Sequence, residues 1–132
     1  MLFTIEKLPD EPIVFTVMGA EFSLVNSVES YAEEFFSVLD TCTEQVYAIT
    51  DMTLVKFTAT DVVQGANSAA RQFQIFKHPK IIENVIFTHS KILKLAAQGF
   101  DSPIFGNIKM AAFDTREAAL AYVRGKITAH HA

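Results

Sequence analysis

The sequence predicts an α/β fold: a single five-stranded, mostly parallel mixed sheet with about four helices, in the order β-β-α-β-α-β-α-β-α. Three observations lead there. Short, almost continuously apolar runs recur ("IVFTVM", "VYAIT", "VIFT"), as in strands covered on both faces. Between them lie stretches with apolar residues at helical spacing. Strands alternating with single helices are joined by right-handed crossovers, which return each strand in the same direction.

Leu2 to Leu8 ("LFTIEKL") alternates apolar and polar side chains, the period of a strand with one wet face. Pro9 to Pro12 ("PDEP") is a turn with φ fixed at both ends, so this strand and the next, Ile13 to Met18, are expected to form an antiparallel hairpin. In "NSVESYAEEFFSVLD" the residues Val28, Tyr31, Ala32, Phe35, Phe36 and Leu39 share one helical stripe, with Asn26 and Glu29 as a capping pair. Val46 to Thr50 is the next strand, and "TATDVVQGANSAAR" from Thr58 the next helix. "HPKI" is an exposed turn, followed by a buried strand over Val85 to Thr88. "SKILKLAAQGF" is a short helix that Ser90 caps and Gly99 ends in a left-handed C-cap. Asn107 to Phe113 is the last strand. The helix "DTREAALAYVRGKI" turns Ala118, Ala119, Tyr122, Val123 and Ile127 inward. One domain over residues 1–128 is expected, with a frayed tail at 129–132.

The 132 residues, 12 of them Phe, suffice for one sizeable core. A net charge of −4 lacks the basic footprint of a nucleic-acid binder, and Glu83 interrupts the lysines at 77, 80, 91 and 94. The lone Cys42 excludes an intrachain disulfide and fits a reducing compartment. No secretory signal and no membrane-spanning run is read, so a soluble cytoplasmic protein is expected, with no membrane insertion.

Ligands of open parallel sheets bind at the carboxyl ends of the strands. Those ends carry Asp51, then Thr88 and His89, then Asp114, and Thr58, Thr60 and Asp61 join them at the next helix start. Helix capping accounts for most of these residues: Thr58 with Asp61, and Asp114 with Glu117, fit capping boxes. His89 beside Asp51 and Asp114 has the chemistry of a general base, but a plain loop histidine is the favoured reading. No metal site is expected, because histidine pairs and cysteine clusters at ligand spacing are missing. Glycine-rich phosphate loops and a Gly-x-Ser-x-Gly elbow are missing too, so no cofactor is expected. Gly65, among Ala66, Ser68, Ala69 and Ala70, makes its helix small on several faces. Close helix–sheet packing is the favoured reason, and room for a ligand the alternative.

With these residues in view, the chain resembles the SpoIIAA-like (STAS) family, and more distantly the anti-sigma factor antagonists and the lipid-binding Sec14 (CRAL-TRIO) domains. The likeness lies in the element order and in three motifs. These are Thr50-Asp51-Met52-Thr53 leading to Phe57, His78-Pro79-Lys80-Ile81, and Phe113-Asp114-Thr115-Arg116-Glu117-Ala118-Ala119 leading to Tyr122. They look closest to those of uncharacterised bacterial SpoIIAA-like proteins. In the antagonists the strand exit leads to an Asp-Ser-Ser-Gly turn; here Ala59-Thr60-Asp61-Val62 stands in its place, with Thr60 as counterpart of the phosphorylated serine. The resemblance implies a non-enzymatic regulatory or protein-interaction domain, with Asp51, Thr58, Thr60 and Asp61 as switch or partner-binding candidates. Its partner is an unknown protein, a second copy of the chain included. The alternative is a binder of a small apolar or lipid-like ligand, with Gly65, Thr88, His89 and Asp114 at its rim. An enzyme using the strand-end rim is the third reading.

Overall fold

The structure, a computed structural model, describes residues 2–23, 27–55, 75–99 and 109–131. Five strands pair in their sequence order: β1 (Phe3–Lys7), β2 (Ile13–Met18), β3 (Val46–Asp51), β4 (Ile81–Phe87) and β5 (Met110–Phe113). β1 runs antiparallel to β2, and the other three pairings are parallel. This is the five-stranded, mostly parallel mixed sheet that the apolar runs predict. The described helices are α1 (Val28–Thr41), α2 (Lys91–Gly99) and α3 (Arg116–His131). The helix expected from Thr58 lies outside the described residues; Ile75 and Phe76 are helical and lead through the His78–Lys80 turn into β4.

The sheet separates two apolar layers. Crossovers of one hand between neighbouring parallel strands put their helices on one face, and α1 and α2 do share a face. Tyr31, Ala32, Phe35 and Leu39 of α1 and Ala97 of α2 pack there against Val14, Val46, Ala48 and Ile86. α3, the final element, covers the other face, where Ala119 and Val123 meet Ile13, Phe15, Tyr47, Ile49, Val85 and Phe87. Successive strand residues point to opposite faces, and β2 is covered on both, which is why residues 13 to 18 are apolar at every position but Thr16. In the β1–β2 hairpin Asp10 takes φ 62°, in the left-handed region that aspartate tolerates better than most residues.

Several local expectations are corrected. β4 starts four residues earlier than the Val85 start expected, at Ile81. Its register shifts opposite Val46 and Tyr47, so Ile81 packs on the α1 face while Glu83 reaches α3. That extra residue breaks the two-residue alternation and hides the start of the strand. Asn84, buried in β4, is satisfied by donating from Nδ2 to the Phe76 carbonyl at 2.9 Å. The N-cap position of α1 is Ser27; Asn26 lies outside the described residues. On α3, Ala118 is exposed rather than buried, and Leu120 packs inward in its place. The helix continues past Ile127 to His131. The last strand is described from Met110, and is half-buried as befits an edge.

Candidate functional site

The strand-end rim exists as a placement. Asp51 ends β3 and is the register partner of Phe87, while Phe87 pairs with Phe113 of β5. The Thr88 backbone N–H donates to the Phe113 carbonyl at 3.0 Å, which brings the exits of β4 and β5 side by side. Asp51, Thr88, His89 and Asp114 therefore follow one another along the carboxyl edge of the sheet.

Asp51, Thr88 and Asp114 already have local work. Asp51 Oδ1 accepts hydrogen bonds from the Thr53 backbone N–H at 2.9 Å and from its hydroxyl at 2.6 Å. This is an Asx turn, in which a short acidic side chain closes the backbone two residues on. Thr88 is 1% exposed, and its Oγ1 accepts from the Ser90 N–H at 3.1 Å. Ser90 caps α2 as expected, accepting from the Leu93 N–H at 3.2 Å. Asp114 is not the cap of α3. Thr115 is, accepting from the Ala118 N–H at 3.1 Å, and that frees Asp114 to pair with Lys94 of α2. The hydrogen bond from Lys94, then its charge, holds the Asp114 carboxyl below the usual range, with a smaller contribution from His89. His89 itself is exposed. One carboxylate is thus engaged in a turn and the other in an ion pair, with His89 adding a smaller electrostatic attraction to Asp114. Thr58, Thr60, Asp61 and Gly65 lie outside the described residues. Among the described residues, no group of three or more metal-ligating side chains gathers, and no helix is long and apolar enough to cross a membrane.

The structure adds residues that the sequence reading passed over. Leu54, in the loop leaving β3, is 51% exposed, and on α2 Ile92 and Leu95 are 40% and 69% exposed. Leu93 and Ala97 form the buried stripe of α2, leaving Ile92 and Leu95 as neighbours three apart on its outer surface. The available signal was the surplus: "KILKLAA" carries more apolar residues than one buried stripe needs. At the opposite end of the sheet, the Lys80 ammonium donates to the Leu39 and Cys42 carbonyls at 2.8 and 3.0 Å, closing the C-terminus of α1. A cation there also meets the negative end of the helix dipole.

No family model matches the chain, and no curated protein matches it. Among solved structures, the chain is similar to an uncharacterized protein of the DUF3478 family from Shewanella loihica PV-4, described as having a SpoIIAA-like fold. The TM-score is 0.59 at 14% identity, over 92% of this chain and 91% of that one. Identity that low carries the architecture and nothing finer, and the strand order and the two-layer core described above are in keeping with it. The chain has a SpoIIAA-like α/β fold.

Proposed function

We propose that this chain is a protein-interaction domain whose contact face is the carboxyl edge of the sheet around the loop that leaves β3. One observation carries the reading: a large apolar side chain, Leu54, stands half exposed on a loop whose start is fixed by the Asp51–Thr53 turn. Exposed apolar side chains scattered singly need no explanation, but a group of them points to a contact. Ile92 and Leu95 are exposed in the first turns of α2, the helix that follows β4, itself paired with β3, and we take them as the extension of this face. A loop ordered before binding loses less entropy on association. The sequence-based candidates Thr58, Thr60 and Asp61 follow Leu54 in the chain and extend the proposed face.

The test compares proteins retained from a lysate of the source cells by the immobilised wild type, Leu54→Asp, Leu95→Asp and Ile82→Asp. Ile82, 38% exposed, sits at the start of β4, far from the carboxyl edge. A partner should be lost by about fivefold or more with the first two variants, as for a residue central to a contact, and be kept by Ile82→Asp. Equal retention by all four removes the proposed face.

A further inference from the structure

α1 and α2 stand on one face of the sheet and present opposite charge to solvent. Residues 28–45, which span α1 and the turn after it, hold five carboxylates and no lysine or arginine, in a chain whose net charge is −4. Glu33, Glu34, Asp40 and Glu44 are exposed. Glu33 and Asp40 fall on one helical stripe, two turns apart, with half-buried Phe36 between them. Residues 88–99, which span the entry to α2 and the helix itself, hold Lys91 and Lys94 and no carboxylate. Lys94 turns to Asp114, while Lys91 is exposed beside Ile92 and one turn before Leu95.

Charge is seldom segregated in this way on a helix that faces only water. Such a helix is ordinarily laced with both signs, which pair at spacings of three and four. Among the described residues, no cation is paired with Glu33, Glu34 or Asp40, and no carboxylate with Lys91. Lys80 does reach α1, but it binds the carbonyls at the helix end rather than a carboxylate.

The two surfaces match each other in kind. On α2 a pair of apolar side chains adjoins a cation, and on α1 an aromatic ring is flanked by two anions. Both are exposed in the single chain, so they do not meet within it. A two-fold axis through this face brings α1 of each copy to α2 of the other, and every pair is then made twice. Covering Ile92 and Leu95 supplies the drive for association. Opposite charge supplies the register and the choice of partner.

We propose that the chain forms a two-fold symmetric dimer in which Lys91, Ile92 and Leu95 of α2 dock on the stripe Glu33, Phe36 and Asp40 of α1 in a second copy. The inference rests on the proposed contact face for Ile92 and Leu95 and names what covers them; Leu54 takes no part in it.

Sedimentation equilibrium of the purified chain over a wide range of concentration reads the dimer constant. The wild type should dimerise. Lys91→Glu sets like charges against each other at both contacts and should weaken the dimer about fivefold or more, and Glu33→Lys should do the same. Leu95→Asp should weaken it about tenfold. The two charge variants mixed in equal amounts should bind each other as tightly as wild type binds itself, because each contact then joins a cation to an anion again. The amide NMR spectrum of each variant checks that it is folded, and the charge variants suffice should Leu95→Asp not be. Leu54→Asp should leave the dimer unchanged, so failure of the docking face at Leu54 is read separately. A monomer at every concentration leaves Ile92 and Leu95 to a different protein and overturns the proposal. So does a dimer that both charge variants keep, or a mixture no tighter than either variant alone.

Discussion

The two faces of the sheet are stabilised by different means. The α3 face is small and fastened at its margins. Arg124 reaches Glu11 with two hydrogen bonds, at 2.9 and 3.1 Å, the Arg116 guanidinium lies 4.7 Å from the centre of the Phe15 ring, and the Tyr122 hydroxyl donates to Glu83 at 2.6 Å. The α1 face is wider and depends on aromatic packing: Phe3, Phe22, Tyr31 and Phe35 form a chain of edge and stacked contacts. It also carries α2, with Ile92 and Leu95 turned outward. The difference teaches where each kind of function can sit. A face closed by directional contacts at its rim has little freedom to accept anything else. A face held mainly by ring packing is constrained less by direction and more by shape.

The largest test of this division is in the two cores. Phe35 is 1% exposed and stacks on Tyr31 at 5.3 Å between ring centres. Phe35→Ala should lower unfolding stability by about 3–5 kcal/mol in urea titrations, through lost burial and the cavity left behind. Val123→Ala on the α3 face, which removes less apolar volume, should cost about 2 kcal/mol. A larger loss at Val123 would mean that the α3 layer is the principal core, and the comparison would be reversed.

Alkali should distinguish the faces next. Burial pushes Tyr31 from 10.0 up to about 12. Burial, then the Glu83 hydrogen bond, does the same for Tyr122. A raised tyrosine pKa means that the unfolded chain ionises first. The stability is fully present below pH 10 and is lost as pH rises towards 12. For the enclosed Tyr31 the loss is on the order of 2–3 kcal/mol; for the more exposed Tyr122 it is smaller, because water screens it. Tyr31→Phe should flatten the decline between pH 10 and 12 more than Tyr122→Phe does. Equal slopes in the two variants would show that the phenols are equally enclosed.

The amino-edge anchor of α1 comes third. Lys80→Met keeps much of the side-chain bulk but removes both hydrogen bonds to the Leu39 and Cys42 carbonyls. It should lower stability by about 1–2 kcal/mol and speed amide exchange in the last turn of α1. An unchanged exchange pattern would assign the helix end to packing alone.

The layered architecture was legible because it depends on hydrophobic period, which is local. The two apolar runs of β2 and β3 and the stripe Tyr31–Ala32–Phe35–Leu39 could be read without knowing what lay against them. The start of β4 could not, because an extra residue at its register shift removed the alternation. Thr16 and Thr50 are 34 positions apart, and their pairing is a matter of register. Leu54 and Leu95 do not stand out in the sequence, which shows that a residue is apolar and not whether space remains to bury it. Of the site candidates, Asp51, Thr88, His89 and Asp114 do share the carboxyl edge, as strand ends must. Their individual partners are side-chain geometry, which the chain order does not contain.

The smallest expected effect concerns the start of α3, where a single residue separates two readings. Both Asp114 and Thr115 are N-cap types, and the sequence favours Asp114 because Glu117 then falls three residues later, as a capping box requires. In the structure the helix begins at Arg116, so Thr115 holds the cap position and its hydroxyl accepts the Ala118 N–H. Asp114 is left one residue outside, exposed, with its charge turned to Lys94. Thr115→Ala should therefore cost about 1 kcal/mol and loosen the first turn of α3. Asp114→Ala should leave that turn intact, since a solvated ion pair between elements contributes little. Thermal melts of the two variants, with amide exchange at residues 117 to 119, decide the matter. A larger loss at Asp114 would place the cap there and move the start of α3 back by one residue.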